Sequence, residues 1–294
     1  MTNYNIDLNK IIVIKNNDQL QKYCDILLNE KFIAIDTEFM RSSTYYASLC
    51  LIQIAGQDHN IIIDNINTAL DLTILNPLLL SENVTKVFHS CRQDIEIFLH
   101  YNKIIPSKLF DTQIAAMACG CSESISYAKL AEKLLSVKID KKIRYCDWSR
   151  RPLSKNQILY AIKDVTYLRQ IYIKITNQLK KNNRETWITE EMSKLSDENY
   201  YHADIENLWK KIKCKSTDPE FLMQVRNMTK IREELAIKLN MPRNHVFKDY
   251  VILEIAASQP VTLKELKLTK GLHKKILNDV ILTDILEKIN IIYK

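Results

Sequence analysis

The apolar positions of this chain are grouped in two ways. Ile11–Ile14 and residues 32–39, 49–54, 61–63 and 86–88 are short, nearly continuous apolar runs that predict strands. The second, third and fourth are joined by short connections, one of them the turn-forming Gly56-Gln57-Asp58-His59-Asn60, so they predict an antiparallel meander. An amphipathic helix opens near Asn17 or Asp18 with Leu20, Cys24, Leu27 and Leu28 on one face. A short helix follows at about 71–80, and another begins near Ser90. Asp111 is read as the cap of a helix that Gly120 ends. Ser154-Lys155-Asn156-Gln157 has the form of a capping box and predicts the start of a long helix. From about 180 to 203 the pattern weakens, which places the connection between domains there. Everything beyond reads as helix. Asp218-Pro219-Glu220 is a cap with proline at the first helical position, and Phe221, Leu222, Val225, Met228, Ile231, Leu235 and Leu239 form a stripe that stops before Pro242. Val251, Ile252 and Ile255 predict a further helix ending before Pro260. The expected organisation is an α/β domain over residues 1–180, a connection over 181–204 and a small all-α bundle over 205–290.

Composition narrows the class. The 294 residues are 46% hydrophobic and 26% charged, as in ordinary globular proteins. Asn3, Asn5, Asp7 and Asn9 interrupt the start, so no signal peptide is expected, and no apolar run is long enough to span a bilayer. Seven cysteines without a C-x-x-C pair argue against a disulfide framework or a zinc site, and a reducing cytoplasm is the expected compartment. His89-Ser90-Cys91 and Cys119-Gly120-Cys121 read as buried thiols. Net charge is +7, but residues 205–294 carry 17 Lys and Arg against 11 Asp and Glu, so nearly all the excess sits in the helical part. Such a surface suits a polyanion or is simply solvated.

The candidate chemistry starts at Ile35-Asp36-Thr37-Glu38. Alternation along a strand points Asp36 and Glu38 to one face, where they repel unless a cation lies between them. Either the strand frays into a polar loop there, or the pair belongs to a hard-metal site. Asp94 falls in the first turn of its helix, where it complements the helix dipole or, past the end of a strand, faces a ligand. Tyr160 and Asp164, four apart, share a helix face that continues toward the core at Leu168 and Ile171. Residues 138–151 hold Lys138, Lys141, Lys142, Arg144, Arg150 and Arg151 with Tyr145 and Trp148 among them. The segment reads as a loop suited to a nucleic-acid backbone and its bases, or as a solvated loop with Trp148 packed inward. No Gly-rich phosphate loop is present, so no nucleotide cofactor is expected.

Asp36-x-Glu38, Asp94 and Tyr160-x-x-x-Asp164 together resemble the three motifs of the tyrosine-containing branch of the DEDD exonucleases; position 159 is Leu, where the histidine branch would carry His. The surrounding text resembles ribonuclease D: Ala34-Ile35-Asp36-Thr37-Glu38-Phe39, Thr44-Tyr45-Tyr46, Leu51-Ile52-Gln53, Phe110-Asp111-Thr112-Gln113 and Asp147-Trp148-Ser149-Arg150-Arg151-Pro152-Leu153. Residues from about 205 to 290 resemble one helicase-and-ribonuclease-D C-terminal (HRDC) domain, best at 232–236 and from Glu254 to Pro260. The chain departs from some ribonucleases D in having room for only one such domain, and from the usual domain in carrying Asn278-Asp279 near an expected glycine.

The resemblance implies a ribonuclease H-like mixed sheet and two-metal-ion hydrolysis with Mg²⁺ or Mn²⁺. On that reading Asp36, Glu38 and Asp164 hold the metal beside the attacking water, Asp36 bridges to the second, Asp94 supports that one through water, and Tyr160 orients the nucleophile. It further implies a monomeric 3′→5′ exoribonuclease that releases 5′-nucleotides from tRNA precursors and other structured RNA 3′ ends. Lys141, Lys142, Arg144, Arg150, Arg151, Lys270, Lys274 and Lys275 are the candidate RNA contacts. The alternatives are a DNA exonuclease of the same fold and a non-catalytic RNA-binding scaffold; the complete acidic set counts against the scaffold.

Overall fold

The computed structural model describes residues 11–66, 68, 70–140, 142–274 and 276–293. Lys141, Lys275 and the N-terminal segment read for a leader lie outside the described residues. The chain divides into two units, residues up to 40 with 48–201, and residues 41–47 with 202 onward.

The first unit is built on a six-stranded mixed sheet. Its strands are β1 (Ile11–Ile14), β2 (Phe32–Met40), β3 (Ser48–Ala55), β4 (Asn60–Asp64), β5 (Thr85–Phe88) and β6 (Leu109–Asp111), in spatial order β1-β4-β3-β2-β5-β6. The unit's helices include α1 (Asn17–Leu27), α2 (Asn76–Leu80) and, near its end, α7 (Thr189–Lys194). β2, β3 and β4 form the expected antiparallel meander, while β1 joins β4, β5 joins β2 and β6 joins β5 in parallel. β6 is too short for the apolar pattern to predict, and in the sequence Asp111 reads only as a cap. Asp111 does cap α4 (Thr112–Ala118), accepting from the Gln113 N–H at 2.7 Å, and its two oxygens also accept from Ser90 and Cys91 N–H.

The register fixes two faces. Ala34↔Ala55, Asp36↔Gln53↔Ile62 and Glu38↔Leu51 look one way, toward α6 (Lys155–Lys181). Ile35↔Ile54↔Ile61 and Thr37↔Ile52↔Ile63 look the other way. That second face is closed to solvent, since these isoleucines are at most 1% exposed. Phe98 of α3 (Arg92–Asn102) packs edge-on against Phe88 of β5, with centroids 6.3 Å apart.

α6 organises the first face. Its capping box is present, Ser154 receiving Gln157 N–H while the Gln157 side chain accepts from Ser154 N–H. Ala161 and Ile162 pack with Leu51 and Ile62, and Val165 and Leu168 with Ala34, Ala55 and Val87. α5 (Tyr127–Leu135) and α4 pack on the outer side of α6 around Ile171, Ile175 and Leu179. The connection expected over 181–204 is folded into this unit as far as Tyr201, because Ile188 and Leu195 are buried and the Arg184 guanidinium donates to Ala118 O.

β3 carries an irregularity beside the carboxylate strand: Glu38 pairs with Leu51 but Phe39 with Leu49, leaving Cys50 unopposed. A bulge of this kind bends and twists the strand and frees backbone groups. Beside it the Cys50 carbonyl accepts both from Asn65 N–H at 3.3 Å and from Arg151 at 3.1 Å. Arg151 also forks onto Asp64 with two 2.7 Å bonds and donates to the Trp148 and Arg150 carbonyls. All five guanidinium donors are therefore used, and the side chain is only 10% exposed. Arg151, expected to contact RNA, is instead an internal clamp. Removing the guanidinium takes the charge partner from a mostly covered carboxylate that otherwise accepts from Ile66 N–H, so Arg151→Met should cost about 2–3 kcal/mol. Arg151→Lys should recover only part of this, because one ammonium cannot reproduce the fork. Urea midpoints of the two variants test this, and equal, near-wild-type midpoints would contradict it.

In the second unit α8 (Pro219–Lys238) is capped by Asp218 and buries Val225, Met228, Ile231 and Leu235, as its stripe predicts. Around it lie α9 (Arg243–Val246), α10 (Asp249–Ser258), α11 (Leu263–Leu268) and α12 (Asp279–Tyr293). The stripe does not predict two charges buried in this core. Arg232 pairs with Asp249 at 2.7 Å, and the fully buried Glu233 is held by Arg243 and the Tyr45 hydroxyl.

Candidate active site

The end of β2 and one turn of α6 bring three carboxylates together. Asp36 and Glu38 leave the sheet on the α6 face, and Asp164 descends onto them from the helix. Ligand oxygens of Asp36, Glu38 and Asp164 all lie within 4.8 Å of one another, the one such group of acids, His or Cys among the described residues. Asp94 stands outside this triangle. It comes from α3 on the opposite face of the sheet, where Thr37, alternating away from its neighbours, donates its hydroxyl to the Asp94 carboxylate.

These acids strain one another. Burial, offset by the Thr37 backbone and the Arg144 charge, lifts Asp36 to about 6. Burial and then the charges of Asp36, Asp164 and Asp94 push Glu38 up to about 10. Asp94 and Asp164 are raised well above the carboxylate range, by burial first and Asp36 second. One Asp164 oxygen is buried with no hydrogen-bond partner. A cluster of hard oxygen donors, too close to ionise together and with an acceptor unused, fits a divalent cation of the Mg²⁺ or Mn²⁺ kind.

Tyr160 stands one helical turn before Asp164, interacts with its carboxylate, and is held protonated by burial and by the charges of Asp164, Glu38 and Asp36. Its ring is backed by Trp148, 2% exposed, with centroids 6.1 Å apart. Trp148 is thus packed inward, whereas Tyr145 remains 82% exposed. Tyr127, which no local sequence signal marks, donates its hydroxyl to the Asp164 carbonyl and steadies that turn of α6. Beside Tyr160, Lys138, Asn156, Lys163 and Tyr167 line a cavity of about 310 Å³.

Of the basic candidates, Lys142, Arg144 and Arg150 are exposed on the loop that leads to α6, and Arg144 lies near enough to lower Asp36, Glu38 and Asp164. Lys270 and Lys274 are exposed in the helical unit. His89 is engaged at both ring nitrogens, by Thr112 and by Ile125 O, and Cys91 is buried beside it.

A sheet of this order with three convergent carboxylates defines the exonuclease class, and comparison agrees: residues 11–180 match the family described as 3'-5' exonuclease, and residues 222–289 match the HRDC domain. The chain is 42% identical to ribonuclease D of Bartonella henselae over 248 residues, 84% of this chain and 61% of that one. It is 38% identical to ribonuclease D of Gluconacetobacter diazotrophicus, covering 95% of this chain and 71% of that one. The crystal structure of Escherichia coli RNase D superposes with a TM-score of 0.83 at 27% identity, covering 96% of this chain and 75% of that one. The chain belongs to the ribonuclease D family. It spans about three-fifths to seven-tenths of the length of the curated relatives it matches. Among the described residues no helix is long and apolar enough to cross a membrane.

The raised carboxyls link stability to pH. Between their ordinary values of 3.8 and 4.5 and the folded values of about 6 and about 10, the folded chain keeps protons that the unfolded chain has released. Metal-free protein should therefore lose stability as pH rises from 5 to 9. A cation takes the place of those protons, so the rise in melting temperature on adding Mn²⁺ should grow over the same range. Scanning calorimetry in EDTA and in Mn²⁺ measures both; a pH-independent Mn²⁺ shift would contradict the assignment.

Proposed function

We propose that this chain is a 3′→5′ exoribonuclease of the ribonuclease D type, trimming tRNA precursors and other structured RNAs to release 5′-nucleoside monophosphates. The observation that carries this is the Asp36–Glu38–Asp164 triangle with Tyr160 one turn away, in a chain up to 42% identical to ribonucleases D. The related E. coli enzyme is described as an exoribonuclease involved in structured RNA processing. Asp36, Glu38 and Asp164 would hold one divalent ion, and Asp94 would serve a second. When bound, such ions neutralise the phosphodiester and acidify a water.

The residues set the remaining terms. With its pKa raised, Tyr160 stays a phenol at neutral pH, so it donates a hydrogen bond and orients the attacking water instead of taking its proton. Trp148 behind it limits the ring's freedom. Arg144, already near the carboxylates, would meet the phosphate backbone as it enters, and exposed Tyr145 offers a face for a base. Lys270 and Lys274 of the HRDC unit would hold the body of the RNA through phosphates, as a monomer working in the cytoplasm, where its seven cysteines stay thiols.

A 5′-labelled RNA with a single-stranded 3′ tail, run beside its DNA counterpart with Mg²⁺, Mn²⁺ or EDTA, tests the reading. The expected result is a metal-dependent ladder shortening from the 3′ end, faster on RNA. Asp164→Asn should abolish it, and Tyr160→Phe should lower kcat about 10²–10⁴-fold with Mn²⁺ binding retained. Faster loss of DNA would move the substrate class, and binding without shortening would indicate a scaffold.

The lysines of the HRDC unit make a separate prediction. Lys270→Glu with Lys274→Glu should raise KM for a structured RNA several-fold and leave kcat on a short oligonucleotide within about twofold. The salt dependence of RNA binding should become shallower by roughly 0.7–0.9 in log–log slope for each phosphate that is no longer neutralised. An unchanged slope would remove these lysines from the interface.

A further inference from the structure

Gln53 sits at the centre of β3 with 0% exposure, and neither its Nε2 nor its Oε1 has a hydrogen-bond partner. A buried carboxamide left unmet is a net cost to folding, which a leucine or methionine at the same place would avoid. Its neighbours show why no ordinary partner is available. Along β3 the same face carries Leu51 and Ala55; across β4 stands Ile62; diagonally on β2 lies Ala34. Above it α6 presents Ala161 on one side, in contact with Leu51 and Ile62, and Val165 on the other, in contact with Ala34 and Ala55. The polar groups on this face are Glu38, diagonal to it on β2, Asn60 and Asp64, on either side of Ile62 on β4, and two that lie closest in register. Asp36 is directly opposite Gln53 in the β2–β3 ladder, and Asp164 immediately precedes Val165 and has one buried oxygen without a partner.

Directly opposed residues in an antiparallel pair hold their Cβ atoms about 4.5–5.5 Å apart, so the glutamine head is within reach of the Asp36 carboxylate. From this placement we infer that Gln53 is a positioning residue for the metal-binding carboxylates, its amide N–H fixing the Asp36 carboxylate from behind when the cation is held in front. The inference rests on the reading of Asp36, Glu38 and Asp164 as a metal site. An amide suits the position because it donates without carrying charge. A lysine there would neutralise the acids and compete with the cation, and an apolar residue would leave the Asp36 carboxylate free to rotate. Partners that orient metal-bound groups commonly alter metal affinity 10–100-fold when removed.

The test is Gln53→Met, close in volume and length, with Gln53→Leu as a second variant. Mn²⁺ binding is measured by titration calorimetry on the full chain at pH 7.5, beside melting temperatures in EDTA. The inference expects a melting temperature at or above wild type without metal, since an unmet polar group has gone, together with Mn²⁺ affinity about tenfold weaker. It also expects kcat to recover largely at saturating Mn²⁺, as a pure packing defect would not. Mn²⁺ affinity within twofold of wild type in a folded variant would overturn it. So would failure of both variants to fold, which would make the amide a support of the sheet itself. Absence of Mn²⁺ binding by wild-type protein would overturn the metal-site reading, and this inference with it.

Discussion

Like charge under cover is the constraint on which the first unit depends. At an effective dielectric of about 20, two unit charges about 5 Å apart repel by roughly 3 kcal/mol, and three carboxylates at such spacing meet that repulsion pair by pair. The Thr37 N–H and the Arg144 charge relieve only part of it. The acids are held in place because apolar contacts surround them: Ala34, Ala55 and Val87 under Val165 and Leu168 on one side, Leu51 and Ile62 under Ala161 and Ile162 on the other. Both alanines on the strands are small enough for α6 to approach closely, and that approach brings Asp164 down to Asp36 and Glu38. The site is an unfavourable electrostatic arrangement imposed by a favourable packing arrangement, of the kind that a divalent cation would relieve.

The elements around the triangle divide between holding and contacting. The bulge at Cys50 and the Arg151–Asp64 fork fasten the segment from Asp147 to Leu153 to the edge of the site, which seats Trp148 behind Tyr160. Arg150 and Arg151 are neighbours of the same charge with opposite tasks: one is exposed and the other has every donor used. Thr37 does comparable work from within β2, its side chain reaching Asp94 on the far face while the residues on either side face α6.

Much of this is legible in the sequence because the signals are local. Strand alternation places Asp36 and Glu38 together, helical spacing joins Tyr160 to Asp164, and Ser154 with Gln157 marks where α6 begins. What is illegible depends on partners far along the chain. Arg151 reads as one more cation until Asp64, 87 residues earlier, is seen beside it. Glu233 reads as helix surface until Arg243 and Tyr45 close on it. Segment 182–201 lacks a stripe because Ile188 and Leu195 bury singly from short turns, so periodicity has nothing to register. Gln53 is visible as a polar residue inside an apolar run, but the run alone does not say what stands opposite it.

The short connection 41–47 has a topological consequence. It belongs to the helical unit, with Tyr45 and Tyr46 N–H groups both donating to Asn240, yet it is flanked by β2 and β3 of the sheet. The polypeptide therefore crosses from one unit to the other at 40/41, 47/48 and 201/202. A protease that nicks the chain just after Tyr201 severs only the last of these. The sheet fragment would still carry, between its two central strands, residues 41–47, whose Tyr45 and Tyr46 bond to Glu233, Arg243 and Asn240 in the released helical piece. Limited proteolysis at that point would yield two polypeptides on a denaturing gel but a complex that elutes together, and the unit that carries the carboxylates would not be a free-standing product of the cut.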